Sequence, residues 1–165
     1  MTDTPSFPSL AARLLIGFLA GFLATLVFHQ LTLSLLWAIK LAPFAPFAMA
    51  ATKPFGVPAV LSLAFFGGLW GIFFVLIDRR FPTGFGYWPV SFLFGAIFPS
   101  LVALLVVLPL KGKPLGGGWH PPLLITAFLI NGAWGLGTAL LVKLFSRRPG
   151  QARTPGKQSG IQAVR

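Results

Sequence analysis

The sequence predicts an all-α membrane protein, a bundle of four transmembrane helices built from two tandem hairpins. Hydrophobic residues make up 56% of its 165 residues, charged residues make up only 9%, and the mean hydropathy is +0.85. Soluble domains carry roughly a quarter charged residues, so this composition excludes a water-soluble globule. Four stretches contain no Asp, Glu, Lys or Arg, and they cover residues 14–39, 59–77, 89–110 and 121–142. Each is long enough to cross a bilayer core as a helix, which takes about 20 apolar residues.

The first stretch follows Arg13, and we expect it to stay in the protein as a membrane helix. It is longer than the roughly 7–15-residue core of a secretory signal, and it lacks an Ala-x-Ala-like cleavage end. The predicted regions are therefore a cytoplasmic N-terminal segment 1–13, a transmembrane domain 14–145 and a cytoplasmic tail 146–165. The tail is basic and rich in Gly, Pro, Ser and Gln, which predicts disorder because it has little apolar surface to bury.

Positive charge is distributed unevenly between the two sides of the predicted bundle. Nine of the 13 Lys and Arg residues lie in the two terminal segments, at Lys143 or at Arg79 and Arg80, and four lie in the two opposite loops. Because an excess of Lys and Arg marks the cytoplasmic side, both termini are predicted to be cytoplasmic. The net charge of +11 is then explained by topology and by attraction to anionic lipid headgroups, without nucleic acid as a partner.

The chain contains an apparent internal duplication. Lys53-Pro-Phe-Gly precedes the second stretch and Lys113-Pro-Leu-Gly precedes the fourth, while Gly-x-Trp-Gly surrounds both Trp70 and Trp134. A weaker match relates Phe18-Leu-Ala-Gly to Phe92-Leu-Phe-Gly in the odd-numbered stretches. We interpret residues 14–80 and 89–145 as parallel repeats related by a pseudo-twofold axis along the membrane normal.

The aligned Gly-x-Trp-Gly segments predict close contacts between helices. Small residues allow helix backbones to approach in lipid, and an indole N–H at mid-membrane needs an acceptor inside the bundle because an unpaired polar group is costly there. The candidate helix-packing residues are Gly67, Trp70, Gly71, Gly132, Trp134 and Gly135.

Polar residues within the spans form a second candidate site. Gly17, Gly21, Thr25, His29 and Thr32 share one face of the first helix by their spacing, and Gln30 lies next to this face. In the fourth helix, Asn131 and Thr138 lie on a narrow polar face. Two interpretations remain open: hydrogen bonds between helices, or a seam in which His29 accepts a proton or contacts a ligand. The predicted seam consists of Thr25, His29, Gln30, Asn131 and Thr138.

Several kinds of chemistry have no candidate residues. The chain has no Cys, and its only acids are Asp3 and Asp78. Asp78 follows the second stretch directly beside Arg79 and Arg80, so we expect a local salt bridge there. No catalytic, cofactor-binding or metal-binding residue is assigned, and the sequence predicts neither an enzyme nor a cofactor. One alternative uses His29 and His120 as ligands of a haem, or as contacts of a quinone, in a membrane subunit.

Three segments carry a resemblance to a known group of proteins. FLATLVFHQ, KPFGVPAVLSLAFFGGLWG and LINGAWGLGTALL resemble stretches of small four-span inner-membrane proteins of proteobacteria. The resemblance covers about residues 14–144, and it implies a bacterial inner-membrane location without a substrate, cofactor or catalytic residue. Four-span drug exporters resemble the chain only in size, because the membrane-embedded Glu on which they depend is missing.

The function predicted from these observations is that of a non-enzymatic accessory or assembly protein. Its expected partners are membrane lipids, a second copy of the chain or another membrane protein. The alternative is a carrier or channel for a small solute, with His29, Gln30 and Asn131 along its path.

Overall fold

The computed structural model describes residues 9–146, and four long helices dominate this part of the chain. They are α1 (Leu10–Ala38), α2 (Ala59–Arg80), α3 (Gly84–Leu110) and α4 (Pro121–Phe145), and each is long and apolar enough to cross a membrane. The predicted all-α fold of four membrane-spanning helices is confirmed. Residues 1–8 of the predicted N-terminal segment and residues 147–165 of the predicted tail lie outside the described residues.

The first and fourth helices begin at residues that favour a helix N-terminus. The Ser9 hydroxyl accepts a hydrogen bond of 3.2 Å from the Ala12 N–H at the start of α1, which satisfies a donor that has no partner within the helix. Pro121 and Pro122 form the first turn of α4, where proline removes no intrahelical hydrogen bond. Two helices contain a wider π-helical turn, at Thr25–His29 in α1 and at Ala103–Val107 in α3.

Antiparallel neighbours form two closely packed pairs, α1 with α2 and α3 with α4. In the first pair, a Cβ atom on Gly21 would lie 2.9 Å from the Cα of Gly71. In the second pair, a Cβ atom on Gly95 would also lie 2.9 Å from the Cα of Gly135. Real Cβ atoms do not approach other atoms so closely, so glycine is required at both crossings.

The contacts between the two pairs differ. Helix α4 also packs along α1, whereas α2 and α3 meet mainly through aromatic rings. Ala20 and Ala24 of α1 are fully buried, and in the predicted repeat they correspond to the larger residues Phe94 and Phe98 of α3. An exact twofold relation would make the two interfaces equal. The Phe94 ring packs against rings of α2, so aromatic side chains fill this interface and the two interfaces are not equivalent.

The bundle has two ends, the terminal face and the loop face. The terminal face contains the start of α1, the end of α4 and the α2–α3 connection. The loop face contains the segments 39–58 and 111–120. In the first of these, β1 (Ala51–Thr52) and β2 (Val57–Pro58) form an antiparallel pair.

Candidate functional site

The indole of Trp134 joins the two helix pairs. Its N–H donates a hydrogen bond of 2.9 Å to the carbonyl oxygen of Gly21, and the Trp134 side chain is buried. The same oxygen also accepts a hydrogen bond of 2.9 Å from the Thr25 hydroxyl. Gly21 has no side chain to cover this carbonyl, and so the large indole can reach it.

Trp70, which corresponds to Trp134 in the predicted repeat, has a different environment. Its ring makes edge-to-face contacts with Phe73 and Phe94, at centroid distances of 5.8 and 6.2 Å. The side chain is only half-buried, and its N–H has no acceptor among residues 9–146. The acceptor that the sequence predicts for a mid-membrane indole is therefore present for Trp134 and missing for Trp70 within this part of the chain.

The predicted glycine contacts are present in both pairs. Gly67 and Gly71 pack against Gly21 and Gly17 of α1, and Gly135 packs against Gly95 of α3. Gly132 faces the ring of Phe92, with which a Cβ atom would overlap. At positions 67, 71, 132 and 135, a Cβ atom would therefore collide with a neighbouring helix.

Asn131 belongs to a short hydrogen-bonded chain between α3 and α4. Its side-chain N–H donates to the Ser100 hydroxyl at 3.0 Å, and that hydroxyl donates to the carbonyl oxygen of Ala127 at 3.0 Å. Ser100 is fully buried. Ser100 directly follows Pro99, whose ring interrupts the backbone hydrogen bonding of α3. Sequence reasoning missed Ser100, because a serine inside a helix normally bonds its own backbone.

His29 and Gln30 form a second polar group, near the loop face. The Gln30 side-chain oxygen accepts a hydrogen bond of 2.7 Å from the Phe47 N–H, and its nitrogen lies 3.4 Å from Nδ1 of His29. Both side chains are buried. Gln30 therefore holds the 39–58 segment against the helices.

Two hydroxyls on α4 are buried without a partner. The Oγ1 atoms of Thr126 and Thr138 have no hydrogen-bond partner among the described residues, and both side chains are fully buried. Thr138 belongs to the predicted seam, and Thr126 lies outside it. An unpaired buried hydroxyl costs about 1–3 kcal/mol.

The residues of the predicted seam are thus divided among separate contacts. Thr25 bonds Gly21, and Asn131 bonds Ser100. Among the described residues no hydrogen bond connects Asn131 or Thr138 with His29. His120 directly precedes α4. Within residues 9–146 no group of three or more His, Cys, Asp or Glu side chains is arranged to hold a metal ion.

Charged residues hold the terminal face together across each helix pair. The Arg13 guanidinium lies 2.7 Å from the Asp78 carboxylate and also donates to the carbonyl oxygen of Val75. The local salt bridge that we expected between Asp78 and its neighbours Arg79 and Arg80 is wrong. The partner lies 65 residues earlier, because antiparallel packing brings the start of α1 beside the end of α2.

The second pair has a cation–aromatic contact at the same face. The Lys143 ammonium lies 3.8 Å from the centroid of the Tyr87 ring and 4.6 Å from that of Trp88. Such a contact is worth about 0.5–2 kcal/mol, depending on how far water is excluded. Tyr87 and Trp88 therefore hold the Lys143 ammonium at the terminal face.

Three hydrogen-bonded contacts among these polar groups connect different elements: Trp134 with Gly21, Asn131 with Ser100, and Gln30 with the Phe47 N–H. Within the described residues, the only side-chain carboxylate is that of Asp78, and it forms a salt bridge with Arg13. These contacts define a membrane-spanning four-helix bundle with polar cross-links.

Comparison of the chain with protein-family models, with curated proteins and with solved structures finds no match. The resemblance to small four-span proteins of proteobacteria therefore stays a prediction.

Proposed function

We propose that the chain is a non-enzymatic interaction protein of the bacterial inner membrane, which assembles with another membrane protein through α2 and α3. The observation that carries this proposal is the half-buried Trp70, whose N–H has no acceptor within residues 9–146. An unpaired donor in hydrocarbon costs several kcal/mol. A partner helix with a small residue at this depth would supply a carbonyl oxygen, in the way that Gly21 supplies one to Trp134.

The face around Trp70 is suited to such a contact. The rings of Phe73 and Phe98 are exposed beside it, at 44% and 49% of their surface. Aromatic residues are enriched at binding surfaces, where they contribute large contact areas. A second copy of the chain is the other partner that this face would accept.

The closed interior favours an interaction protein over a conduit. Gly17, Gly21, Gly67 and Gly71 bring two backbones into contact, which leaves no space between α1 and α2. The Trp134 indole fills the space between the pairs. A path for a solute would have to open one of these contacts.

Topology and duplication are part of the same proposal. The excess of Lys and Arg in the terminal segments and at Arg79 and Arg80 supports cytoplasmic termini. The matching glycine crossings at Gly21–Gly71 and Gly95–Gly135 support an origin of the two helix pairs by duplication.

The proposal is tested by gentle extraction of the full chain from its native membrane, followed by mass spectrometry of the intact complex. We expect a stoichiometric protein partner, whose amount falls severalfold with Trp70→Phe. Trp37→Phe is the matched control, since Trp37 is 52% exposed near the loop face, and it should retain the partner. A monomer free of protein partners in the wild-type extract would contradict the proposal.

A small-solute carrier is the second candidate, and the unpaired hydroxyls of Thr126 and Thr138 favour it. In a carrier, such groups bind the solute or water when the helices separate. His29→Ala or Asn131→Ala should then abolish solute flux in reconstituted vesicles at normal expression. Unchanged flux in both variants would remove this candidate.

A further inference from the structure

A shallow groove runs along the outer side of α3 and α4, close to the terminal face. Every residue that lines it is apolar, and Trp88 with Phe92 and Pro89 with Leu93 follow each other one helical turn apart. The groove therefore runs lengthwise along α3, from the membrane surface toward the hydrocarbon. Its lining consists of Phe85, Trp88, Pro89, Phe92, Leu93 and Leu136.

A cation stands at the end of this groove. The Lys143 ammonium lies 4.6 Å from the centroid of the Trp88 ring, which itself lines the groove. Its second aromatic contact, with Tyr87 at 3.8 Å, holds the side chain in place. Within residues 9–146 there is no carboxylate available to Lys143, because Arg13 binds Asp78.

We propose that this groove binds an anionic glycerophospholipid, with an acyl chain along the apolar lining and the phosphate against Lys143. A lysine near the membrane surface attracts anionic headgroups, and its long side chain reaches the headgroup level. Phe85 lies at the mouth of the groove and is 87% exposed, which places an aromatic ring at the depth where rings favour the interface.

The complementarity between groove and lipid has two independent parts. An acyl chain matches a lining of aromatic and aliphatic side chains, and a phosphate matches the ammonium that the aromatic rings hold at its end. A partner helix would fill the apolar part and leave the ammonium without a counterion. The proposed lipid site does not depend on the interaction proposed for Trp70, since that residue lies outside the groove.

The test uses the full chain, purified in mild detergent and titrated with phosphatidylglycerol or phosphatidylcholine, with bound lipid counted by native mass spectrometry. We expect the wild type to retain one phosphatidylglycerol in preference to phosphatidylcholine. Lys143→Gln should lower the retained phosphatidylglycerol about fivefold, which is the effect of one lysine near the surface. Lys143→Arg should preserve it. Lys111→Gln removes a charge from the loop face and should have no effect.

Leu93→Trp tests the apolar part of the site. Leu93 is 52% exposed, so the larger side chain enters the groove without disturbing the contact between α3 and α4. We expect it to reduce retention of both lipids, with an unchanged thermal unfolding temperature. Millimolar inorganic phosphate should not displace the lipid, because free phosphate lacks the acyl chain.

Either of two results would overturn the proposal. One is equal retention of phosphatidylglycerol by the wild type and by Lys143→Gln. The other is a protein dimer that Leu93→Trp dissociates, because a second copy and not a lipid would then occupy the groove.

Discussion

The Trp134 indole N–H donates to the carbonyl oxygen of Gly21, and this hydrogen bond, 2.9 Å from nitrogen to oxygen, joins the two helix pairs. The bond exists because glycine leaves a helix carbonyl uncovered. It makes the fourth helix part of the packing of the first, although the two belong to different halves of the chain.

Trp134→Phe should lower the free energy of unfolding by about 1 kcal/mol beyond the loss of ring contacts, since side-chain hydrogen bonds in membrane bundles are worth about 0.6–1.7 kcal/mol. Trp70→Phe is the matched control, because its N–H has no acceptor among the described residues. Unfolding of the purified monomer at increasing concentrations of a denaturing detergent measures the free energy of unfolding of both variants. Equal losses in the two variants would show that the Trp134 bond contributes nothing.

Gly71→Ala and Gly135→Ala should each destabilise the bundle by about 1–3 kcal/mol, because an added methyl group overpacks a contact between two backbones. Leu69→Ala in α2 provides the comparison, as Leu69 is 43% exposed and faces the lipid. It should change the stability by less than about 0.5 kcal/mol. A smaller effect of the glycine variants than of Leu69→Ala would be incompatible with the packing described.

Asp78→Asn should cost about 2 kcal/mol, a value between those of exposed and buried ion pairs, because it leaves the largely buried Arg13 guanidinium without its counterion. Combining it with Arg13→Met should cost less than the sum of the single changes. A double-mutant cycle of thermal unfolding measures this coupling. Strict additivity would mean that the two charges do not stabilise each other.

Ser100→Ala and Asn131→Ala should be non-additive for a different reason. The Ser100 hydroxyl receives the Asn131 donor and donates to the carbonyl of Ala127, so removing either side chain breaks the chain of bonds. The coupling energy should be about 0.6–1.7 kcal/mol. Thr32→Ala combined with Ser100→Ala serves as the control pair and should give a coupling close to zero.

Gln30→Leu should release the loop between α1 and α2, because the Phe47 N–H loses its acceptor. Hydrogen exchange at Phe47 should accelerate at least tenfold, while exchange within α4 stays unchanged. Ser34→Ala, one turn further along α1, is the matched variant, because the Ser34 hydroxyl donates to the Gln30 carbonyl and not to the loop. If Ser34→Ala accelerates the loop equally, Gln30 has no special role in holding it.

The four helices and their glycine contacts follow from the sequence for a simple reason. Uninterrupted apolar stretches have one solution in a bilayer, which is the helix, and glycines at Gly67 and Gly71 mark where a neighbour approaches. These features depend on nearby residues alone.

Contacts between distant residues could not be derived in the same way. The pairing of Arg13 with Asp78 depends on the relative axial position of α1 and α2. The sequence instead favoured Arg79 and Arg80, because they are adjacent to Asp78. The aromatic contact between α2 and α3 depends on Phe94, which stands where α1 has Ala20. The role of Ser100 depends on the packing of α3 against α4, which places Asn131 within hydrogen-bond distance of it.

The 113 residues that separate Gly21 from Trp134 also have a consequence during synthesis. The ribosome releases the first helix well before it makes the fourth, so the Gly21 carbonyl enters the bilayer before its indole donor exists. The bundle is therefore completed only when the last span leaves the insertion machinery.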